Sequence, residues 1–538
     1  MVKFEDSKIA SVNKIVLMTN FRTMFPETIS TLNLINDYVE NLGLKLLLLS
    51  NTISSELKCT TVKIPFSMKE FSSLKEEEFN FPFNQNLISI DAEFNEDENP
   101  DVELYKAGLK KCFSAAHKIA LTVKPAIALL WSATVPQSII FKNVFTEYFI
   151  PTYFVERGLL PETLIFDESG NGACSSIKKK IDLGFVPQNF EHIYEEIKAY
   201  YFTNKIDKHE QPDYLSSSDF LEQQNLAGKK IITFLGQWDV ASGVNSTNDY
   251  QSFLNSPHFT NTEEAFKSIV KFISDNENIA LVFKPHPFDS KTYNKENNTR
   301  IIVDKKLNVR TLIESADVVI VMSTTIQYEV LFYDKPIVLL ANSFLNGLNV
   351  GYEIKNSEEI GSAILQALNK KDYADKQINA EKFITLISSQ ILVSLNKKNP
   401  ITTSLASFIS HLSKKYFSNN IESVSKDLFD EIYHKTKNIF NEYLIKQQVQ
   451  ELILKAEELI TGQNILEAKI ILNDILQNLD PESIEVLNDL AVVELISGNF
   501  DTAQNLLNQI LVKDPFNLVA KENINYISQV NLINTEKV

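Results

Sequence analysis

The stretch 278-NIALVFKPHP-287 is an apolar run that ends abruptly in a cation and an imidazole set between prolines. A continuous apolar run of this length predicts a strand buried on both faces, as in a parallel sheet. Prolines end strands because they lack an N–H group and fix φ. The motif therefore has two interpretations. The prolines only end the strand, or they place Lys284 or His286 where the side chain can reach a phosphate at the strand end.

Similar runs recur on both sides of this stretch, separated by helix-length segments. In the first part of the chain they are KIVLMTN (14–20), LKLLLLSN (44–51), AIALLWS (126–132) and PTYFVERG (151–158). In the second part they are KKIITFLGQ (229–237), RIIVD (300–304), DVVIVMS (317–323) and KPIVLLAN (335–342). This alternation predicts an α/β protein with two Rossmann-like, doubly wound domains and a ligand cleft at the carboxyl ends of their strands.

Changes in composition predict the domain boundaries. The predicted segments are an N-terminal Rossmann-like domain (1–205), a polar linker (206–228), a C-terminal Rossmann-like domain (229–370), a helical connector (371–445) and helical repeats (446–538). No strand is predicted after about residue 370. Residues 456–483 align with 491–518, and Pro481 recurs as Pro515, close to the period of about 34 residues of helix-turn-helix arrays. The last region therefore resembles tetratricopeptide repeats, completed by the preceding helices.

The overall composition restricts the function classes. The 538 residues are 44% hydrophobic and 22% charged, which is typical of globular proteins, and the formal charge of −17 disfavours nucleic acid as the main ligand. Three cysteines without CxxC spacing argue against disulfides or a zinc site. Without a signal peptide or an apolar run long enough to span a membrane, we expect a soluble cytoplasmic protein, with docking at the inner face of a membrane left open. The acidic run near 91–103 is expected to be a solvated loop.

A turn rich in hydroxyl groups follows the strand at 317–322. Ser323, Thr324 and Thr325 precede an amphipathic helix, and free N–H groups, hydroxyls and the helix dipole together favour phosphate. Glu329 lies one turn after Thr325 on the same face, where its carboxylate can accept both hydroxyls of a ribose. The alternative is an ordinary capping box between Thr324 and Gln327.

Two further polar groups come directly after predicted strands. Gln237, Asp239 and Ser242 follow the strand that begins at 229, and Asp239 is a candidate nucleophile, base or Asx-turn residue. Glu156 and Arg157 end the strand at 151–158, so that they face the second domain across the cleft. They are a candidate acid/base and a candidate partner for an anionic group, or else a surface ion pair at a turn.

These groups, in this order over roughly residues 120–350, resemble the capsule polysaccharide biosynthesis family of GT-B glycosyltransferases. The best-known members of that family are bacterial retaining β-Kdo transferases. The shared elements are Glu156-Arg157-Gly158, Gln237 with Asp239 and Ser242, Lys284-x-His286-Pro287, and Ser323 followed by Tyr328-Glu329 and the Lys335-Pro336 strand. After that strand the chain departs from the family, because it reads ANSFLNGLNVGYEI in place of a Pro-Phe-Tyr…Trp-Gly stretch.

The resemblance implies a metal-independent glycosyltransferase that uses a nucleotide-sugar donor, CMP-linked Kdo or a related acidic sugar, and no other cofactor. It implies that His286 and the turn at 323–325 bind the donor phosphate and that Glu329 binds the ribose. Asp239 would be the nucleophile of a retaining double displacement, and Glu156 the acid/base residue. The remaining residues expected in the donor site are Arg157, Gln237, Ser242 and Lys284. The implied acceptor is a surface glycan.

Other functions stay open at this point. An inverting transferase that uses a UDP- or GDP-sugar, or a CDP-glycerol-type transferase, would keep the same fold. The helical repeats would bind a peptide in their groove if the acceptor were a protein, such as a surface or flagellar subunit. A protein in which the cleft is vestigial and the repeats form a scaffold is the non-enzymatic alternative.

Overall fold

The computed structural model describes most of the chain. The described residues are 13–20, 26–74, 85–95, 97, 99–170, 172–204, 211–244, 249–295, 297–396, 403–416 and 424–535. The chain divides into two compact units, Met1–Ser72 with Glu76–Ile439, and Ser73–Lys75 with Phe440–Val538. None of the helices in the described part combines the length and the apolar character needed to cross a bilayer.

Two sheets organise the first unit. The strands are β1 (Asn13–Asn20), β2 (Lys45–Ser50), β3 (Thr60–Lys63), β4 (Pro125–Trp131), β5 (Thr152–Arg157), β6 (Thr163–Asp167), β7 (Lys230–Leu235), β8 (Ile279–Lys284), β9 (Ile301–Val303), β10 (Val318–Val321), β11 (Ile337–Leu339), β12 (Tyr352–Glu353), β13 (Val393–Ser394) and β14 (Thr403–Ser404). The first sheet has the order β14-β13-β6-β5-β4-β1-β2-β3, and the second β12-β11-β10-β7-β8-β9. The second sheet is parallel throughout, whereas the first is parallel from β3 to β5 and turns antiparallel at β6.

Helices cover these sheets. In the first unit they are α1 (Pro26–Asn41), α2 (Met68–Phe71), α3 (Gln85–Phe94), α4 (Val102–Thr122), α5 (Pro136–Glu147), α6 (Phe190–Asn204), α7 (Ser217–Gln223), α8 (Asp239–Ser242), α9 (Asp249–Asn255), α10 (Thr262–Ser274), α11 (Val309–Ser315), α12 (Ile326–Val330), α13 (Ile360–Leu368), α14 (Tyr373–Gln390), α15 (Leu405–Tyr416) and α16 (Lys426–Ile439). Short 3₁₀ helices lie at Gly172–Cys174, Ile177–Lys180, Leu183–Phe185 and Ser357–Glu359.

The strand β7 shows why the apolar runs are continuous. Ile231 and Leu235 pack into the core on one face of the second sheet, and Ile232 and Phe234 pack into the core on the other. Successive side chains of a strand point to opposite faces, so a strand covered on both sides needs apolar residues on both faces. The predicted fold class, an α/β protein with two Rossmann-like domains followed by an all-helical region, is confirmed.

The chain returns to the first sheet after the second one is complete. After α14, the strand β13 pairs antiparallel with β6 and parallel with β14. The next helix, α15, buries Leu405, Ile409 and Leu412 in the core of the first sheet. The expectation that no strand follows residue 370 is therefore wrong at β13 and β14, because strands of two residues are too short to show an alternating pattern.

The second unit contains only helices among its described residues. They are α17 (Asn441–Thr461), α18 (Ile465–Asp474) with a π-helical end at Ile475–Leu479, α19 (Ile484–Ile496), α20 (Phe500–Lys513) and α21 (Leu518–Thr535). Each helix packs on the next along the chain. Ala468 and Ala503, at corresponding positions of the two aligned segments, are fully buried between helices. The resemblance of this region to tetratricopeptide repeats stays a prediction.

Candidate functional site

A cavity of about 610 Å³ lies at the carboxyl ends of the parallel strands of both sheets. From the first sheet it is lined by Asn20 at the end of β1, Trp131 at the end of β4, and Glu156 and Arg157 at the end of β5. From the second sheet the lining residues include Gln237, Ser242, His286, Ser323, Thr324 and Thr325. The cleft thus lies at the strand ends, where open α/β sheets place their ligands.

Glu156 is held at the cavity wall by the backbone after β4. The N–H group of Ala133 donates to Glu156 Oε1 at 3.1 Å. Ser132, just before it, has φ of +71°, in the left-handed region that non-glycine residues rarely adopt. The next residue, Gly158, lies in the turn between β5 and β6. A Cβ atom at this position would lie 2.0 Å from Thr163 Oγ1, so only glycine permits the close approach of the two strands. The turn Glu156-Arg157-Gly158 is therefore shaped by close packing.

Arg157 is half-buried and contributes a guanidinium to the wall of the cavity. Within the described part of the chain, it makes no ion pair or side-chain hydrogen bond. A guanidinium presents a planar fork of donors suited to carboxylate or phosphate oxygens. Arg157 is thus available to bind an anionic group in the cavity.

His286 also lines the cavity, and its ring orientation is well defined. Its Nδ1 accepts a hydrogen bond from the backbone N–H of Phe288 at 3.2 Å. The ring lies nearly parallel to Trp238, with centroids 6.4 Å apart and an interplanar angle of 21°. Because Nδ1 is an acceptor, the neutral ring carries its proton on Nε2. In that tautomer the hydrogen-bond donor of His286 is on Nε2, in a ring that lines the cavity.

Lys284 lies two residues before His286, at the end of β8, but has a different environment. Its side chain is buried, and Nζ donates to the carbonyl oxygens of Lys305 and, at 2.6 Å, of Leu307. Burial lowers the pKa of Lys284, an effect that the negative charge of Asp304 opposes. Lys284 is absent from the cavity lining and holds the loop at 305–307, and its role at a donor phosphate stays a prediction.

The turn of Ser323, Thr324 and Thr325 lies between β10 and α12. The Ser323 N–H and Oγ donate to Gln237 Oε1 at 2.9 and 3.1 Å. Thr325 is the N-cap of α12 but makes no side-chain capping bond, so the capping box between Thr324 and Gln327 is not formed. Both threonine hydroxyls are therefore not used for capping, and both residues line the cavity. Glu329 is half-buried in α12 and does not line it, and its ribose role stays a prediction.

Asp239 begins α8, and its carboxylate faces the start of α10. Thr262 Oγ1 donates to Oδ1 at 2.6 Å, the Thr262 N–H donates to Oδ2 at 3.1 Å, and Lys291 Nζ lies 3.4 Å from Oδ2. Gln237 Nε2 donates to Oδ1 at 3.2 Å. Asp239 is only 7% exposed and is absent from the cavity lining. The role of Asp239 as a nucleophile stays a prediction.

Asp91 is a cavity-lining carboxyl group that sequence reasoning missed. It lies in α3, is 1% exposed, and accepts hydrogen bonds from the Met68 N–H at 2.7 Å and from Gln137 Nε2 at 3.0 Å. Burial raises its pKa to about 7, an effect that these hydrogen bonds oppose. The expectation of a solvated acidic loop at 91–103 is wrong here, because α3 continues to Phe94 and α4 begins after its N-cap Asp101.

An aromatic group joins the two halves of the cavity wall. Phe94 of α3 makes an edge-to-face contact with Trp238, with ring centroids 5.0 Å apart, and Phe288 lies 5.5 Å from Trp238. All three line the cavity. Trp238 lies between the predicted site residues Gln237 and Asp239. Its position just after a strand could therefore have indicated from the sequence that it lines the cavity. Such flat apolar walls suit the faces of sugar rings or nucleobases.

Comparisons with known proteins give only distant matches. No protein-family model matches the chain, and no curated protein matches it. Similar solved structures include KpsC, a β-Kdo 2,7-transferase from Thermosulfurimonas dismutans, with 18% identity and a TM-score of 0.29 over 51% of this chain and 82% of that one. A UDP co-structure of MnaA from S. aureus has 12% identity and a TM-score of 0.35 over 76% and 100% of the two chains. UDP-GlcNAc 2-epimerase from Neisseria meningitidis, bound to UDP-GlcNAc, has 12% identity and a TM-score of 0.30 over 74% and 98%. TM-scores this low establish neither a family nor a function.

Proposed function

We propose that this chain is a glycosyltransferase that binds a nucleotide-activated sugar in the cavity between its two sheets. One observation carries the proposal. A carboxylate and a guanidinium from the first sheet, Glu156 and Arg157, share one cavity with an imidazole and a hydroxyl-rich turn from the second, His286 and 323–325. Group transfer from a phosphate-linked sugar needs an anion site for the leaving group and an acid/base for the acceptor.

The second-sheet side of the cavity suits the donor phosphate. We assign the contacts to this phosphate to the His286 ring and to the hydroxyl groups of Thr324 and Thr325, all of which belong to the cavity lining. Among the described residues of the cavity lining, Arg157 supplies the guanidinium, and Lys284 is engaged with backbone carbonyls. Arg157 and the His286 ring are suited to the single phosphate and the sugar carboxylate of a CMP-linked acidic sugar, and the donor we propose is CMP-linked Kdo or a related CMP-linked acidic sugar.

Glu156 is the residue we assign to proton transfer. In a single displacement its carboxylate accepts the proton of an acceptor hydroxyl while that oxygen attacks the anomeric carbon. The bond from the anomeric carbon to the phosphate oxygen breaks, and the nucleotide leaves with its charge stabilised by His286 and the turn at 323–325. A retaining double displacement through Asp239 would require its carboxylate to leave Thr262 and Lys291. The anomeric configuration of the product separates the two reactions.

The change Glu156→Gln tests this assignment. Glutamine keeps the size and the acceptor for the Ala133 N–H but cannot take a proton, so we expect turnover to fall by about 100-fold or more. Donor affinity, followed by the fluorescence of Trp131 and Trp238 on the cavity wall, should stay nearly unchanged. Glu168→Gln, at an exposed position after β6, is the matched control. Wild-type turnover in the Glu156 variant would remove Glu156 from the chemistry.

A further inference from the structure

The amide of Gln237 connects two parts of the site. Its Nε2 donates to Asp239 Oδ1 at 3.2 Å, and its Oε1 accepts from both the N–H and the hydroxyl of Ser323, at 2.9 and 3.1 Å. Gln237 is 2% exposed, so water does not replace either contact. A chain of hydrogen bonds therefore runs from Asp239 through Gln237 to the first residue of the hydroxyl-rich turn.

The orientation of this amide follows from the chemistry of its neighbours. A carboxylate can only accept hydrogen bonds, and a backbone N–H can only donate. Turning the Gln237 amide by half a rotation would set its oxygen against Asp239 and its NH₂ group against the Ser323 N–H, and both contacts would be lost. Asp239 thus decides which end of Gln237 faces Ser323.

Asp239 is itself held on the side away from the cavity. Thr262 donates to both of its oxygens, and Lys291 lies beside Oδ2. Thr262 is the first residue of α10, a helix of 13 residues whose positive end favours a carboxylate. Four donor groups from three places in the chain therefore fix the carboxylate before any substrate arrives.

We propose that Asp239 is a positioning residue that acts through Gln237 to hold Ser323, and with it the donor-binding turn at 323–325. This inference rests on the proposed function, because it assigns the turn to the donor phosphate. It gives the carboxylate a role that needs no covalent intermediate and no contact with the sugar. Donor binding, rather than the chemical step, then depends on Asp239.

A reciprocal exchange tests the relay. In Gln237→Glu alone, two carboxylates face each other, and we expect the donor KM to rise by about 10- to 100-fold, the value of one hydrogen bond to a charged group. Adding Asp239→Asn restores the pairing, because the asparagine NH₂ donates to the carboxylate introduced at position 237, which in turn accepts from Ser323. The asparagine oxygen accepts from the Thr262 N–H and Lys291, and the Thr262 hydroxyl, which now faces the NH₂ group, rotates to accept from it. We expect the exchanged pair to recover donor KM to within about threefold of wild type, with kcat retained.

The outcomes are distinct. A nucleophilic Asp239 would leave the exchanged pair without turnover whatever its donor affinity, and that result would overturn the relay. Failure of the second change to lower KM would also overturn it. If the exchanged pair does not fold, a double-mutant cycle of Asp239→Asn, Gln237→Ala and their combination tests the same inference. If Asp239 acts only through Gln237, the double variant has the same donor KM as Gln237→Ala alone. If the wild-type chain binds no nucleotide at all, the proposed function fails instead.

Discussion

The buried carboxyl of Asp91 makes a prediction about stability and pH. Its pKa rises from the usual 3.8 to about 7, mainly through burial, with a smaller contribution from the charge of Glu70. Between these two values the folded state binds the proton more tightly than the unfolded chain does. Stability from this group is therefore complete below about pH 4 and is lost as the pH rises to 7.

The magnitude follows from the size of that change. One pKa unit corresponds to about 1.4 kcal/mol, so between pH 5 and pH 8 the free energy of unfolding should fall by about 3 kcal/mol because of Asp91. In Asp91→Asn this part of the pH dependence is absent, since asparagine does not titrate. The absolute stability of the variant also changes, because an NH₂ group replaces one acceptor of the Met68 and Gln137 hydrogen bonds.

Urea unfolding followed by tryptophan fluorescence measures the effect selectively. The two tryptophans of the chain, Trp131 and Trp238, both lie in the first unit, so the signal ignores the helical second unit. That selectivity matters because burial also raises the pKa of Asp489, in the second unit, to about 6. Wild type and the variant are compared at pH 5 and pH 8, with the exposed Asp275→Asn as the matched control. Equal pH dependence in wild type and Asp91→Asn would refute the reasoning.

Two further changes in the KPHP stretch distinguish nucleotide binding by His286 from stabilisation of the loop at 305–307 by Lys284. We expect His286→Ala to weaken nucleotide binding by about tenfold in a fluorescence titration, because a hydrogen-bond donor and a ring contact are lost. The matched control His192→Ala, at an exposed position of α6, should leave affinity unchanged. Unchanged affinity in His286→Ala would exclude it from the donor site. Lys284→Met should lower the free energy of unfolding by about 2 kcal/mol by leaving the carbonyls of Lys305 and Leu307 unpaired, with nucleotide affinity preserved. Preserved stability with lost affinity would show instead that Lys284 contacts the ligand.

The fold could be predicted because its signals are local. Strands such as β7 and β8 are largely apolar runs that can be recognised from the sequence. The polar residues that follow them lie at the same edge of a parallel sheet, and this placement does not depend on how the helices pack. That is why Glu156, His286 and the turn at 323–325 were found from the sequence and do share a cavity.

Side-chain direction could not be predicted in the same way. Lys284 turns toward carbonyls at 305 and 307, and Asp239 turns toward Thr262 and Lys291, partners that are about 20 to 50 residues away in the chain. These contacts exist only after the second sheet and its helices pack, so no short motif reports them. Asp91 was missed because it opens an acidic stretch, and the burial of α3 against its neighbours has no local signature.

A thermal-shift titration of the full chain against CMP, UMP, UDP, GDP and CDP tests the central claim most directly. A ligand at 100 times its dissociation constant stabilises the folded state by about 2.7 kcal/mol, which raises the melting temperature measurably. We predict stabilisation by CMP above the other nucleotides, and loss of that shift in His286→Ala. A protein that responds to none of the five nucleotides would contradict a nucleotide-sugar site in this cavity.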